Sequence, residues 1–499
     1  MQTLATVKRN LYYDSVTLMR LSSQISELCG VTGVLVGMGT ELNKELLANM
    51  GLHTAETQEA GANDLVVAVR ADDEQAIADA LAEIDAALTR KERKSADAPQ
   101  LKTIGQAAAL HTGYNLAVVS VPGIYAAREC AAALHRGMHV FLFSDNVELE
   151  QEVALKQLAA EKNLLLMGPD CGTAIINGVP LGFANRVRRG NIGIAAASGT
   201  GLQQVTTLID RLGGGISQAV GVGGRDLSER VGGLTMLAAL DALGRDAKTE
   251  VVVVLSKPPA PSVAEKVMAK VRALGKPAVF CLFGQEESGE AAGIHRCSDM
   301  EETAVKAVSL ALGRQAVFED RFFSGNRVAA FAGSRKPGQK YLRGVFGGGT
   351  LCDEAMTVFR RKGIPYAFNT VTAPGAGPAG GHTFIDMGDD AFTKGKPHPM
   401  IEPALRNERI VQDARMPDTA VMLIDIVLGH GCHADPAGLA VKAARDADRR
   451  DILWIASLVG ADGDPQDLHK QAETLLQAGF VVTESNARAA TLAAEVVLG

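Results

Sequence analysis

Short apolar runs of strand length alternate with longer amphipathic segments along most of this 499-residue chain. The runs "NLAVVSV" (115–121), "NIGIAAAS" (191–198) and "TEVVVVLS" (249–256) are rich in valine, isoleucine and alanine. Strands buried on both faces have this composition, and the helix-length segments between them supply the crossover connections that parallel strands need. The pattern therefore predicts an α/β protein of several domains with doubly wound sheets.

The alternation divides the chain into four units. Residues 1–95 combine the apolar runs "GVLVGM" and "DLVVAVR" with helical segments, which predicts a small α+β N-terminal module. Residues 90–100, "RKERKSADAPQ", lack apolar periodicity and are predicted to be a linker. A Rossmann-like domain is expected over residues 101–190, and flavodoxin-like domains over 191–315 and 325–499, the last opening near "RVAAFAGS".

The third and fourth units repeat each other. The segment "GTGLQQVTTLIDRLGG" (199–214) matches "GGTLCDEAMTVFRRKG" (348–363), and "PAVFCLFG" (277–284) matches "ILWIASLVG" (452–460). Two further matches between these keep the same order and approximate spacing, as expected for an internal repeat. Two related flavodoxin-like domains are therefore expected to pack as a pseudo-symmetric pair.

Composition narrows the class of function. The net charge of −7, with basic residues spread along the chain, argues against nucleic-acid binding. No basic-then-apolar leader is visible and no apolar run reaches the ~18 residues of a membrane span, so we expect a cytoplasmic protein without membrane contact. Seven cysteines without CxxC spacing indicate reduced thiols, and no metal site is predicted.

Glycine-rich turns open the first helix of each repeat. Backbone N–H groups at a helix start lack partners within the helix, and the helix dipole favours anions there. The turn after the strand at 191–198 places Ser198, Gly199, Thr200 and Gly201 at such a point, and Gly348, Gly349 and Thr350 are their counterparts. Helix capping alone would also use these residue types. We predict that the two turns bind one shared phosphate or similar anion.

The chain resembles a known family in several ordered motifs. The stretches "GPDCGTAI" (168–175), "NIGIAAASGTG" (191–201) and "GVGGRDL" (221–227) resemble the α subunit of succinyl-CoA synthetase and its NDP-forming acyl-CoA synthetase relatives. The fourth unit resembles the C-terminal domain of the β subunit. The motifs "YYDSVTLM", "LFSDNV" and "SKPPAP" are similar to those of the FdrA family. By this resemblance, residues 101–190 correspond to a CoA-binding-type domain.

The resemblance carries functional expectations. FdrA-like proteins are associated with carbamoyltransferases of purine-ureide (allantoin) degradation, in which phosphate and an N-carbamoyl compound such as oxalurate give carbamoyl phosphate and oxamate. This implies phosphate or carbamoyl phosphate as the ligand and other subunits of the same complex as partners, in an oligomer. The alternatives are an acyl-CoA synthetase subunit and a non-catalytic scaffold. CoA binding is in doubt, because "NLYYDSVTLMRLS" stands where the synthetases have a glycine-rich loop.

Several residues are candidates for the substrate pocket or for catalysis. Asp170, Cys171 and Gly172 form the turn of the "GPDCG" motif, in which Cys171 is a nucleophile or a half-buried turn residue. Arg225 and Asp226 follow a buried strand. Arg225 would clamp an anion, with Asp226 in the substrate pocket, and the alternative is a surface ion pair. Lys257 ends another buried strand, where it would neutralise phosphate or remain solvated.

Histidines supply the remaining candidates. "GHGCHADPAG" (429–438) groups His430 and His433 with Cys432 and Asp435, which favours imidazoles facing the substrate over a zinc site, since structural zinc sites normally use two separated ligand pairs. By resemblance to the synthetases, His295 is a candidate phosphate carrier, with a solvated loop histidine as the alternative. His398 lies in a proline-stiffened loop without an assigned role.

Overall fold

The computed structural model describes residues 2–95, 101, 103–111, 113–283, 289–291, 293–369, 381–393 and 396–498, apart from residues 12, 14 and 27. The chain divides into two compact units, residues 1–103 with 395–397 and residues 104–394 with 398–499. None of the helices in the described ranges combines the length and apolar character that crossing a lipid bilayer requires.

The first unit is a three-stranded antiparallel sheet with helices. Its elements are β1 (Gln2–Lys8), α1 (Ser15–Ser26), β2 (Val31–Met38), α2 (Glu41–Asn49), α3 (Ala55–Glu59), β3 (Leu65–Ala71) and α4 (Glu74–Ser95). The strand order is β1-β3-β2, and the apolar residues of β3 are buried between its two neighbours. The predicted linker is wrong for residues 90–95, which extend α4; residues 96–100 lie outside the described residues.

A small parallel sheet opens the second unit. Its elements are α5 (Ile104–Leu110), β4 (Leu116–Val119), α6 (Gly123–Leu134), β5 (His139–Leu142), α7 (Leu149–Glu161) and β6 (Leu166–Met167). The strands lie in the order β4-β5-β6, and α6 packs on β4 and β5. Each predicted strand of this segment is present, in a shortened form.

The next segment forms an eight-stranded sheet. Its elements are β7 (Thr173–Ile176), β8 (Val179–Gly182), β9 (Arg189–Ala197), α8 (Gly199–Arg211), β10 (Ile216–Gly221), α9 (Leu234–Arg245), β11 (Val251–Ser256), α10 (Pro261–Ala273), β12 (Ala278–Leu282), β13 (Gly289–Ala291), β14 (Ile294–Arg296) and α11 (Met300–Leu312). The order is β13-β14-β12-β11-β9-β10-β7-β8. Although the prediction assigned β7 and β8 to the preceding domain, β7 pairs antiparallel with β10.

The last segment forms a six-stranded sheet in the order β16-β17-β15-β18-β19-β20. Its elements are α12 (Asn326–Ser334), β15 (Tyr341–Phe346), α13 (Gly349–Arg361), β16 (Tyr366–Phe368), β17 (His382–Asp386), α14 (Asp390–Thr393), α15 (Ala404–Ala414), β18 (Thr419–Val427), α16 (Pro436–Ala447), β19 (Leu453–Val459), α17 (Leu468–Gln477), β20 (Val481–Thr483) and α18 (Asn486–Leu498). The apolar run "RVAAFAGS" is helix α12 rather than a sheet strand.

The predicted repeat is confirmed by the strand orders. Five parallel strands run β10-β9-β11-β12-β14 in one sheet and β17-β15-β18-β19-β20 in the other. Counted along the chain, both orders are 2-1-3-4-5, the flavodoxin-like arrangement. The α/β fold with two such domains and a small N-terminal module is therefore as predicted.

The two repeats pack through helices. α8 and α11 of the first contact α13 and α18 of the second, and one hydrophobic core spans both, with Leu202, Val205 and Leu351 fully buried in it. A buried carboxyl, Glu354, crosses this contact and accepts hydrogen bonds from the Met300 amide at 2.8 Å and the Asn486 side chain at 2.8 Å. This packing holds the N-terminal ends of α8 and α13 against each other.

Candidate functional site

The two glycine-rich turns meet directly, as the sequence predicted. Ser198 Oγ lies 2.7 Å from Thr350 Oγ1, and both residues are buried. A Cβ placed on Gly348 would lie 2.9 Å from Thr200 Oγ1, so this position suits only glycine. Each turn follows the carboxyl end of a parallel strand, the edge at which open α/β sheets bind ligands. The hydroxyl contact leaves no room for a phosphate between Ser198 and Thr350.

The turn before α13 is filled by side chains of its own domain. Asp425, which is fully buried in β18, accepts the amides of Gly347 at 2.8 Å and Gly348 at 2.7 Å. A Cβ on Gly349 would lie 2.5 Å from Asp386 Oδ2. Carboxylates thus take the place that an anion would need. The prediction of an anion site is wrong for Gly348, whose amide is taken by Asp425, and a carboxylate crowds Gly349; the amides of Gly349 and Thr350 have no acceptor among the described residues, and anion binding by them stays a prediction. The contact between Ser198 and Thr350 contradicts the prediction of one anion held between those two hydroxyls.

The turn before α8 is open. The Gly201 amide is used by the Ser198 hydroxyl at 3.1 Å, but the amides of Gly199 and Thr200 have no acceptor within the part of the chain that the structure describes. The atoms nearest to a Cβ on Gly199 would be Thr173 Oγ1 at 3.7 Å and Gly172 Cα at 3.9 Å. The amides of Gly349 and Thr350 likewise have no acceptor among the described residues, but no carboxylate oxygen lies within 4 Å of a Cβ on Gly199, so this turn is the one open to an anion.

Thr173 lies next to the open turn before α8. It is 1% exposed, and its hydroxyl is buried without a hydrogen-bond partner among the described residues. An unpartnered buried hydroxyl costs about 1–3 kcal/mol, which a ligand acceptor would recover. The sequence analysis missed Thr173, although it lies within the quoted "GPDCGTAI" motif, because threonine on a buried strand gives no chemical signal by itself.

A charged cluster borders the meeting point of the two turns. Lys257 Nζ lies 3.2 Å from Asp353 Oδ2, and it would also lie 3.2 Å from a Cβ on Gly349. Burial by itself lowers the pKa of Lys257, but Asp353 and Asp386 outweigh that effect and hold the pKa above its usual value. Burial raises the pKa of Asp386 to about 7, against the opposing effect of Lys257. Carboxyls with such shifts are frequent at functional sites.

Asp386 was not identified from the sequence. It ends β17 at the carboxyl edge of the sheet, and this position was the available signal. Asp170 contributes a further carboxyl and lies beside Gly224, whose Cβ would be 3.6 Å from Asp170 Oδ2. Although Asp170 keeps contact with solvent, crowding by protein raises its pKa to about 6; Asp145 and Asp390 add to this effect and Lys257 opposes it.

Three predicted pocket or catalytic residues have structural roles instead. Asp226 is fully buried; it pairs with Lys156 at 2.7 Å and accepts amides at the start of α9, so its placement in the substrate pocket was wrong. Arg225 pairs with Glu152 at 3.0 Å, which matches the ion-pair alternative. The buried Cys171 thiol donates to backbone carbonyls, and burial raises its pKa to about 12, so the thiolate that a nucleophile needs is disfavoured.

The histidine loop after β18 makes its hydrogen bonds to other parts of the chain than Lys257. The backbone amide of His430 donates to the Ala184 carbonyl. The side-chain Nε2 of His430 is buried and has no hydrogen-bond partner among the described residues. His433 accepts the Asp435 amide at its Nδ1, and Asp435 caps α16. No hydrogen bond or ion pair joins either histidine to Lys257 in the described ranges, and their catalytic role stays a prediction.

The two remaining histidines occupy different settings. His295 lies within β14, between β13 and β12 and half-way along the pairing with β12, and burial lowers its pKa. His295 therefore lies neither in a loop nor at the carboxyl ends of the strands, and this position does not suit a phosphate carrier. His398 stacks near Phe183, accepts the Met400 amide at Nδ1, and has its pKa lowered to about 4 by burial. Its Nε2 and Asp386 Oδ1 would both lie within 3.2 Å of a Cβ on Gly388.

Three protein-family models match the chain. The CoA binding domain model matches residues 187–283, and the CoA-ligase model matches residues 345–496. The sequence analysis had assigned the CoA-binding type to residues 101–190. The third model, "AllF, heavy metal-associated domain", matches residues 1–103. Since Cys29 and His53 are the cysteine and histidine of that segment, its donor set does not fit a thiolate or imidazole metal site.

Curated proteins give a consistent result. The α subunit of ADP-forming succinate–CoA ligase from Aquifex aeolicus is 28% identical over 165 residues, which cover 32% of this chain and 52% of that protein. An Archaeoglobus fulgidus counterpart is 26% identical over 191 residues, 38% of this chain and 64% of that protein. The dinucleotide forming acetyl-coenzyme A synthetase 1 of Ca. Korarchaeum cryptofilum covers 77% of this chain and 84% of its own, at 15% identity and a TM-score of 0.33, values too low for assigning equivalent residues.

One relative matches over its full length. It is YahF of Escherichia coli (strain K12), itself an uncharacterized protein, which is 43% identical to this chain over 514 residues; the alignment covers 99% of YahF and 100% of this chain. The predicted family is thereby confirmed at the level of the superfamily, while the carbamoyltransferase type gains no support. The chain belongs to the YahF family, an FdrA-like group within the succinyl-CoA synthetase-like acyl-CoA synthetase superfamily.

Proposed function

We propose that this chain is a subunit of an acyl-CoA synthetase-type ligase and that it holds the phosphate of an acyl phosphate at the open start of α8. The observation that carries the proposal is the open turn itself, with free amides of Gly199 and Thr200 and the orphaned hydroxyl of Thr173. The turn lies within the segment matched by the CoA binding domain model, and α13, against which it packs, lies within the CoA-ligase match.

In the proposed reaction each of these groups has a role. When the bond between the acyl carbon and the phosphate oxygen breaks, the departing phosphate keeps the electron pair and gains negative charge. Fixed amide and hydroxyl donors at a helix start stabilise such charge without reorganisation. CoA, when bound, would supply the thiol that accepts the acyl group. Lys257, held among carboxylates at the seam, is placed to balance charge on the same intermediate.

The acyl-CoA ligase, which the sequence analysis carried as the alternative, now replaces carbamoyl transfer as the leading function. The succinate–CoA ligase relatives and both CoA-related family matches support it. Carbamoyl transfer remains a second candidate on one observation: Asp170 and Asp386 line the seam beside Lys257, and carboxylates accept hydrogen bonds from an amide NH₂ group. Both reactions pass through an acyl phosphate of the same geometry.

The test uses the complex that an affinity tag on this chain isolates from its own host. With ATP, CoA and a panel of carboxylic acids we expect formation of an acyl-CoA, and with phosphate and a ureido acid we expect no carbamoyl phosphate. Thr173→Val together with Gly199→Ala should reduce acyl-CoA formation by about 10²-fold or more, because the first change removes a hydroxyl donor and the second places a methyl group where the phosphate would lie. Carbamoyl phosphate without acyl-CoA would transfer the assignment to the second candidate, and neither product would refute both.

A further inference from the structure

Exposed apolar side chains concentrate around β4. Of the fourteen large hydrophobic side chains exposed in the described part of the chain, five lie between residues 110 and 125, on α5, β4, the first turn of α6 and the connections between them. They are Leu110 (57% exposed), Tyr114 (51%), Val118 (60%), Ile124 (75%) and Tyr125 (59%). We call these five residues the β4 patch. Exposed apolar side chains concentrated in one short segment are typical of an interaction surface.

The strand within the patch has an open edge. β4 is the outer strand of its sheet, and the carbonyls of Asn115 and Val119 accept the amides of His139 in β5 and of Phe143 directly after it. Because backbone groups alternate in direction along a strand, those of Leu116 and Val118 face away from β5. Edge strands are usually protected by charge, proline or a cover. Residues 113–121, "GYNLAVVSV", contain neither a charged residue nor proline.

The patch is neutral, which bears on the kind of partner. Residues 103–127 contain no aspartate, glutamate, lysine or arginine, although the chain has a net charge of −7. Charge complementarity therefore selects no oppositely charged partner here, and two copies of the chain can meet at this surface without placing like charges opposite each other. An uncharged apolar edge is also complementary to itself, as a two-fold interface requires.

The patch offers more than half of the area that each copy contributes to a standard interface. A tyrosine side chain buries about 150–250 Å², so Tyr114 and Tyr125, each about half exposed, offer roughly 100 Å² each. With similar amounts from the three aliphatic side chains, the patch supplies roughly 500 Å² per copy, to which the backbone of β4 and the flanking surface add. Each partner in a standard interface contributes about 800 Å².

We propose that a second copy of this chain docks on the β4 patch, with the two β4 strands pairing antiparallel about a two-fold axis. The pairing would extend the three-stranded sheet to six strands across the dimer and would satisfy the outward backbone groups of Leu116 and Val118. The proposal is argued from the β4 patch and the edge of β4 and uses none of the groups at the open turn of α8, so this inference does not depend on the proposed function.

Sedimentation equilibrium of the full chain over a range of concentrations tests this proposal. We expect the unmodified chain to dimerise and Val118→Lys to raise the dimer dissociation constant by roughly 30-fold or more, as for a central interface residue. Val179→Lys is the matched control, since Val179 is a 57% exposed valine on β8, an edge strand of another sheet. This control should dimerise like the unmodified chain.

A second variant guards against misfolding. Tyr125→Lys changes an exposed side chain at the start of α6 and should also weaken the dimer, while circular dichroism melting shows that both variants keep the fold. A chain that stays monomeric at every concentration overturns the proposal, even if it binds another protein. Dimers that persist in folded Val118→Lys, or that weaken equally in Val179→Lys, overturn it as well.

Discussion

Replacing Thr173 by valine should change stability and ligand binding in opposite directions. The Thr173 hydroxyl is buried, has no hydrogen-bond partner among the described residues and lies near the open start of α8. Valine has nearly the same shape and favours a strand such as β7. Removal of an unsatisfied buried hydroxyl recovers part of a penalty of about 1–3 kcal/mol, so we expect the free energy of unfolding to rise by about 1 kcal/mol.

Binding should weaken in the same variant. A hydrogen bond to a charged group contributes about 1.5–3 kcal/mol, so loss of the hydroxyl should raise the dissociation constant of acetyl phosphate or inorganic phosphate roughly 10- to 150-fold. Calorimetric titration measures the affinity. Stability is measured by urea unfolding in phosphate-free buffer, because a bound anion would stabilise the folded state by mass action.

Two controls separate the effects. Thr383 is also a buried strand threonine whose hydroxyl lacks a partner, but it lies on β17, so Thr383→Val should add stability and leave phosphate affinity unchanged. Thr419 is equally buried and donates to the Asp413 carbonyl at 2.7 Å, so Thr419→Val should lose stability. If Thr173→Val binds phosphate as well as the unmodified chain, the assignment of the anion to the α8 turn is refuted.

Three further outcomes follow from the same structure. Gly199→Ala should fold normally yet bind phosphate poorly. Gly349→Ala should lose about 1–3 kcal/mol of stability, because the added Cβ would meet a carboxylate oxygen at 2.5 Å. Equal melting temperatures of the two variants would contradict the contrast between the open and the filled turn. Asp226→Ala should lower the free energy of unfolding, measured in urea, by about 3 kcal/mol or more, because Lys156 then loses the carboxylate 2.7 Å away in a fully buried site. A decrease of less than about 1 kcal/mol would argue against a structural role of Asp226. Burial raises the pKa of Glu354 from 4.5 to about 8, so the contribution of this carboxyl to the free energy of unfolding should be fully present below pH ~4.5 and should be lost, by a few kcal/mol, as the pH rises through 8. Glu354→Gln should flatten this dependence of stability on pH, and an unchanged slope would exclude Glu354 as its source.

The sequence by itself determined the fold class and the repeat, and it predicted that the two glycine-rich turns lie together. Buried strands such as β11 are continuous apolar runs, and their alternation with amphipathic helices leaves few topologies for parallel strands. The repeat followed from matching segments, since similar sequences build similar units. Ser198 and Thr350 were expected to meet because both follow first strands of equivalent sheets, and they meet at 2.7 Å.

Only the tertiary structure decided which of the two similar turns is open. Gly199 and Gly349 occupy equivalent positions, yet the second turn is filled by Asp425, 77 residues away from Gly348 in the chain, and by Asp386 from a neighbouring strand. The local sequence at a helix start determines which hydrogen-bond donors are present. Whether those donors are free depends on side chains from distant strands, which only the packing of the folded chain brings to them. The same reason explains why Asp226, a plausible pocket residue in the sequence, is a buried partner of Lys156.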